Sequence, residues 1–346
     1  MSNDPQSQFE RYTDSEFRAL LFNLIPALHN HGTRDHVLHI LSKAYKETRN
    51  KVIHEEMAPL LWHSIGKISI LLQVLKFFFF SLSTLLYITS RHFFNFVPYH
   101  SLFQELLSVY PALNEHLTER LSTRVSNALA LLQSVAAHTD TRMHFIKANI
   151  ACYLQPILNI KNNDKYHEHV RISSLQVIGA LVKQDDDPRG VLFILQSQML
   201  PSFLNCMEVG SITAKTVAVF IIKKILSNEE GMKYCCVLAE RFFAIGNILG
   251  KIIEELVEAG RLLEDNSKQL LEQIIGCYYK LSANPRACDG LRCCLPSKLK
   301  DTSFTSFFHG DQQMMLCLQQ IFYNIEVAEW GRSHLYRKLG RHLVRY

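Results

Sequence analysis

Apolar and polar residues alternate along this chain with the period of an α-helix. In "RVSNALALLQSVAAH", Val125, Leu129, Leu132 and Val135 with Ala136 fall at i, i+4, i+7 and i+10/i+11, one apolar stripe. "HVRISSLQVIGALVK" repeats the arrangement with Val170, Ile172, Leu175, Ile178 and Leu181 with Val182. Short polar runs separate such stripes: "AHTDTR", "KQDDDP", "SNEEG" and "SANPR". In "DDDPRG", Asp187 reads as a helix N-cap and Pro188 as the first helical residue, where its missing N–H costs nothing. The four runs follow apolar helices ending at Val135, Leu181, Leu226 and Leu281, so the separations are 46, 45 and 55 residues. Helical units recurring at ~40–47 residues mark armadillo or HEAT arrays. One such unit cannot cover its own apolar face, so stacked neighbours share a continuous core. The expected architecture is an all-α, armadillo-repeat right-handed solenoid (an α-α superhelix), with a concave and a convex face suited to extended partners.

Composition agrees with a globular chain: 48% hydrophobic and 20% charged over 346 residues, with Gly (14) and Pro (10) sparse. That argues against a turn-rich β-sandwich and against disorder. The nine cysteines include the adjacent pairs Cys235-Cys236 and Cys293-Cys294 but no C-x-x-C, so buried free thiols in a reducing compartment are expected. The polar, acid-bearing start "MSNDPQSQFERYTDSEF" is neither a signal nor a transit peptide, and a cytosolic or nuclear protein is expected. The net charge of +5 is local. Arg332, Arg337, Lys338, Arg341 and Arg345 supply +5 after Gly331, and Lys76 with Arg91 a further +2, leaving the rest near −2. Bulk basicity therefore points to no nucleic-acid partner for the main body.

One stretch departs from the pattern. From Phe77 to Ile88 runs an apolar segment of 12 residues, against about 20 for a spanning helix. Extending it back to Ile68 gives 21 residues but admits Gln73 and Lys76. A membrane anchor is therefore a strained reading.

Six segments carry a resemblance: "APLLWHSIGKISILLQ", "RVSNALALLQSVAAHTDTR", "RISSLQVIGALVK", "AKTVAVFIIKKIL", "ERFFAIGNILGKII" and "LSANPRACDGLRCCLPSKLKD". Together they resemble the cell-differentiation, Rcd-like family, the Caf-forty-type armadillo-repeat subunit of the CCR–NOT mRNA deadenylase complex. The likeness spans roughly 58–73 and 105–325. It implies that "LLQ" at 71–73 continues directly into "ELLSVYPAL" at 105–113, which makes residues 74–104 an insert. The insert starts with Val (codons GT-) and ends with Gln (CAG), and eight Phe in its 31 residues imply T-rich codons. A retained in-frame intron fits these boundaries, and a hydrophobic insertion between repeats is the competing reading. The expected organisation is a flexible segment 1–17, a repeat domain 18–325 interrupted at 74–104, and a divergent basic tail 326–346.

The resemblance implies a non-catalytic adaptor that couples regulators to mRNA deadenylation, in the cytoplasm including P-bodies and in the nucleus. A generic solenoid scaffold or transport adaptor outside mRNA decay is the alternative. It implies tryptophan-accepting pockets on the convex side for GW-repeat proteins, lined by Arg241, Pro285 and Arg286, since a planar guanidinium stacks on an indole. Ala239 stands where relatives offer a tyrosine. It also implies that the concave groove docks amphipathic helices of RNA-bound regulators at His63 and Val217. The large scaffold subunit of the complex is an expected partner, and self-association is left open. Arg124, Arg171, Lys215 and Lys223 are candidates for single-stranded nucleic acid, with solvated helix faces as the plainer reading.

No catalytic spacing stands out. His29/His31 and His167/His169 are H-x-H pairs, which a helix splits to opposite sides, so they read as surface histidines. Asp185–Asp187 reads as helix capping more simply than as a cation site. No catalytic residue, metal site or cofactor is expected.

Overall fold

The computed structural model of the chain describes residues 13–28, 30, 32–47, 51–64, 102, 105–106, 108–113, 116–262, 264–301 and 311–343, without the side chains of 51–52, 63–64 and 328–343. Residues 1–12, all of 74–104 except Leu102, His29, His31 and the His63 side chain lie outside these. Among the described residues the regular structure is helical and no strand occurs. The chain divides into two compact units, 1–184 and 185–346.

In the first unit the helices are α1 (Asp14–Ala27), α2 (Arg34–Glu47), α3 (Lys51–Ser64), α4 (Glu119–Ala137), α5 (Thr139–Lys147), the short α6 (Gln155–Leu158) and α7 (Lys165–Val182). Helix α4 lies beside both α2 and α7. Its apolar stripe is fully buried at Val125, Leu129, Leu132 and Val135. Polar bonds tie the layers: Ser42 Oγ donates to Asn127 Oδ1 at 2.9 Å, and Ser122 Oγ to the Tyr166 carbonyl at 2.9 Å. The N-terminal boundary differs from the sequence expectation. Thr13 and Glu16 form a capping box that starts α1, and Phe17 is buried, so residues 14–17 are the first turn of a packed helix.

Among the described residues of this unit three arginines are buried: Arg34, Arg142 and Arg171. Each reaches back to carbonyls left unpaired near the end of a preceding segment. Arg34 Nε donates to Leu28 O at 2.8 Å, and Arg142 donates to Ala136 O and Ala137 O at 3.3 and 2.7 Å. Arg171 Nη2 donates to Ile160 O and Asn162 O at 2.7 and 2.9 Å. A charged donor with several N–H groups stitches one segment to the next where water is excluded.

The second unit comprises α8 (Arg189–Gln196), α9 (Leu200–Val209), α10 (Ile212–Ser227), α11 (Glu229–Val237), α12 (Ala239–Glu258), α13 (Asp265–Ser282), α14 (Pro285–Cys294) and α15 (Gln312–Leu343). Helix α13 lies between α10 and α15, as α4 lies between α2 and α7. Turn chemistry sets these starts. Ser211, Asn228 and Asn284 each accept a backbone N–H in the first turn of α10, α11 and α14. At "DDDPRG" Asp187 does accept a backbone N–H, that of Arg189 at 3.1 Å, although the helix opens one residue later than expected. Helix α15 runs unbroken across the expected boundary at 325/326.

Candidate partner-binding surfaces

Helices α11 and α12 meet at Val237 and Leu238, two successive apolar residues that stay 60% and 45% exposed. One turn into α12, Arg241 lies over the Tyr234 ring, its Cζ 3.9 Å from the centroid, and Nη1 donates to Tyr234 O at 3.2 Å. The guanidinium is thereby held over an aromatic face, where its other side can meet an incoming ring. Ala239 is exposed and offers no ring. Tyr234, on the preceding helix, is the aromatic residue that tertiary structure brings to Arg241. Sequence reasoning missed it, because the pairing spans the helix junction at Leu238, across which one helical period does not run.

Pro285 and Arg286 open α14 and are exposed, with Asn284 Oδ1 accepting from the Arg286 N–H at 3.0 Å. Among the described residues the Arg286 guanidinium makes no hydrogen bond or ion pair. Helix α14 packs on α12, where a Cβ added to Gly290 would sit 2.2 Å from the Phe242 ring. The two arginines thus lie on neighbouring helices of one unit.

Val217 lies on α10 outside its core stripe of Ala214, Ala218, Ile221, Ile222 and Ile225, and is half-buried. Helix α10 carries three lysines with settled contacts. Lys215 pairs with Glu255 at 2.7 Å and Lys224 with Asp185 at 2.6 Å. The hydrogen bond from Lys224, and then its charge, hold the Asp185 carboxyl below the ordinary range. Lys223 donates to the neutral Gln273 oxygen at 3.2 Å and lies across Gly276 of α13, where an added Cβ would meet its Cε at 2.8 Å. Glycine there leaves a shallow channel for the lysine stem.

In the first unit, His63 belongs to α3, where the adjacent Trp62 is buried with its ring 4.9 Å from that of His144. Arg124 is engaged by acids. Its Nε lies 2.5 Å from Glu105 Oε2 as an ion contact without hydrogen-bond alignment, and its Nη1 lies 3.8 Å from Asp35. Glu105 is buried and also meets Arg34 at 3.2 Å, while Asp35 meets Arg120 at 3.0 Å. A carboxylate inside the fold is tolerable only with such cations around it.

Two sequence expectations are corrected here. Arg171 is neither a solvated residue nor a phosphate contact: it is fully buried, and its guanidinium is bonded to Ile160 O, Asn162 O, Asn163 Oδ1 and Glu168. His167 is not a surface histidine. It is fully buried, its Nδ1–H donating to Asp164 Oδ2 at 2.7 Å, because it faces the core stripe that Val170 and Ser174 continue. His169 is on the exposed side, as the helical split of the pair requires. Desolvation, then the charges of Lys46 and Lys165, hold it below the usual histidine range. Among the described residues no group of three His, Cys, Asp or Glu converges to hold a metal ion, and no single helix is long and apolar enough to cross a membrane.

Stacked helical layers joined by short capped turns define an all-α, armadillo-type repeat protein. The fold is similar to a crystal structure of an engineered protein (TM-score 0.53, 12% identity, 89% of this chain and 98% of that one). It is also similar to computationally designed armadillo repeat proteins for modular peptide recognition (TM-score 0.51, 14% identity, 88% and 98%). Within that class, a model of the Rcd1-like cell differentiation family matches residues 88–325, and the chain belongs to this family. The match begins inside the 74–104 stretch. The chain is 37% identical over 308 residues to the cell differentiation protein rcd1 of Schizosaccharomyces pombe, covering 89% of this chain and 93% of that protein. It is 40% identical over 222 residues to protein CAF40 of Saccharomyces cerevisiae, covering 64% of this chain and 58% of that protein.

Proposed function

We propose that this chain is a non-catalytic adaptor of the CCR–NOT mRNA deadenylase complex. It docks regulatory proteins on its helical surfaces and so promotes deadenylation, decay and translational repression, in the cytoplasm, including P-bodies, and in the nucleus. Membership of the Rcd1-like family supports the complex, with the large scaffold subunit as the stable partner. The observation that carries the docking role is the Arg241 guanidinium held over the Tyr234 ring beside exposed Val237 and Leu238. A tryptophan from a GW-repeat protein fits such a surface, gaining apolar contact and a cation–π interaction of about 0.5–2 kcal/mol. Half-buried Val217 supports a second contact, for an amphipathic helix of an RNA-bound regulator. Single-stranded nucleic acid is not part of this reading, because Arg171 is buried and Arg124 and Lys215 are neutralised by carboxylates.

The tagged full-length chain should co-purify the deadenylase scaffold subunit in stoichiometric amount. Absence of that subunit refutes the adaptor reading and favours a scaffold outside mRNA decay. Arg241→Ala should weaken a tryptophan-bearing GW peptide by roughly 3- to 30-fold, the range of one cation–π contact. Val217→Glu should leave that peptide unaffected and abolish binding of the regulator helices, with the helical circular-dichroism signal unchanged.

A further inference from the structure

Among the described side chains of α15, 312–327, two apolar stripes run along the helix, one buried and one exposed. Met314, Leu318 and Ile321 are buried, and the helix rests on α13 and α14. Asn324 Nδ2 donates to Ser282 Oγ at 3.1 Å, and Arg292 Nη2 donates to Ile325 O at 2.8 Å. On another face Leu316, Tyr323 and Val327 are 57%, 60% and 47% exposed. These three stand seven and then four residues apart, the spacing of a heptad seam, with Gln320 at the intervening seam position. In the sequence, Trp330 and His334 occupy the next two seam positions. The same helix continues to Leu343 into a stretch that carries Arg332, Arg337, Lys338 and Arg341 and no acid.

Width and charge choose the occupant. Exposed Gln313, Gln319 and Glu326 flank the seam, so the apolar strip is one residue wide. A helix that lies in a lipid surface presents a broad apolar face, whereas a strict two-position seam is the narrow one that another helix covers. Nucleic acid would be drawn by the arginines but would gain nothing from Leu316, Tyr323 and Val327. A second copy of this helix brings two basic ends together when parallel and sets each basic end against the uncharged stretch 312–320 when antiparallel, so neither arrangement gives the arginines a counter-charge. An acidic helix satisfies both features.

We propose that α15 is a docking strip for an acidic amphipathic helix of a partner protein. Apolar anchors of that helix cover Leu316, Tyr323 and Val327, and its carboxylates run along the basic stretch from Arg332 onward. The surface is separate from Arg241 and Val217, and the proposal holds whether or not the chain joins a deadenylase.

The test uses the full-length chain and a labelled four-heptad peptide with Leu at both seam positions and Glu at the flanking positions. Its self-association is opposed by its own charge. A peptide with Lys in place of Glu, a single-stranded RNA 20-mer and vesicles of equal phosphatidylserine and phosphatidylcholine are the comparators. Anisotropy should show the Glu peptide binding at least tenfold more tightly than the Lys peptide, weakening as salt rises, and not displaced by RNA or vesicles. The pair Tyr323→Glu and Val327→Glu should lower its affinity at least tenfold with the helical signal intact. The pair Arg337→Glu and Lys338→Glu tests charge while leaving the buried Met314, Leu318 and Ile321 unchanged. No binding of the Glu peptide, equal binding of the Lys peptide, displacement by RNA or vesicles, or full binding by both well-folded double variants overturns the proposal.

Discussion

Replacing Arg171 with methionine separates a structural arginine from a groove cation. The side chain is fully buried, and its guanidinium serves two backbone carbonyls, the Asn163 amide oxygen and the Glu168 carboxylate. Methionine keeps most of the apolar stem, so lost packing is a minor part of the cost. What remains is a set of acceptors without donors, at about 1–3 kcal/mol for each that water cannot reach. Breaking a buried pair from one side costs about 3–5 kcal/mol, and that range is expected here. For a unit of this size each kcal/mol lowers the melting midpoint by about 2–4 °C, so the drop is roughly 6–20 °C. Thermal and urea unfolding followed by circular dichroism measure it. Arg171→Lys should recover little, because one ammonium cannot reproduce the fork that spans Ile160 O and Asn162 O. In parallel, Arg124→Met should be the milder change, since part of Arg124 is open to solvent. A fall of less than 2 °C for Arg171→Met would refute the buried-clamp assignment.

Three further outcomes are expected. Gly290→Ala should destabilise, against the usual sign for a helical glycine. The added Cβ meets the buried Phe242 ring at 2.2 Å, and overpacking at about 1–3 kcal/mol outweighs a propensity gain of about 1 kcal/mol, as urea unfolding would read. Asp164→Ala should cost about 2–4 kcal/mol, about 1 from loss of the α7 cap and about 1–3 from the orphaned Nδ1–H of buried His167. Desolvation raises the Asp164 pKa, but hydrogen bonds and charge from His167 lower it further, so its contribution is present above the ordinary aspartate pKa. It is lost as pH falls through the lower folded value, and an acid titration of wild type against the variant should converge there. Iodoacetamide at pH 8 should label exposed Cys293 while sparing Cys206, Cys235, Cys277 and Cys288 until denaturant is added. Those four are buried, and burial pushes the Cys235 thiol up to about 12.

Much of the helical frame is readable along the chain, because capping and periodicity act within a few residues. The apolar stripes end at Val135, Leu181, Leu226 and Leu281, and the helices end at Ala137, Val182, Ser227 and Ser282, one or two residues on. Asn284 followed by Pro285 marks the start of α14 for local reasons alone. The surfaces are less readable. Arg171 looks like any basic residue on a polar face until the 160–163 turn folds over it, and Tyr234 meets Arg241 across the break at Leu238, whose extended backbone separates α11 from α12.

By itself, then, the order of residues determined that the chain is helical, where most helices begin and stop, and to which family its segments belong. Only the packing of distant segments decided which polar side chains are structural. A helical period states the direction a residue leaves its own axis, not what stands opposite. Arg34, Arg142, Arg171, Glu105 and His167 are buried because a neighbouring segment brings carbonyls or counter-charges to them. Leu316, Tyr323 and Val327 remain exposed because none does.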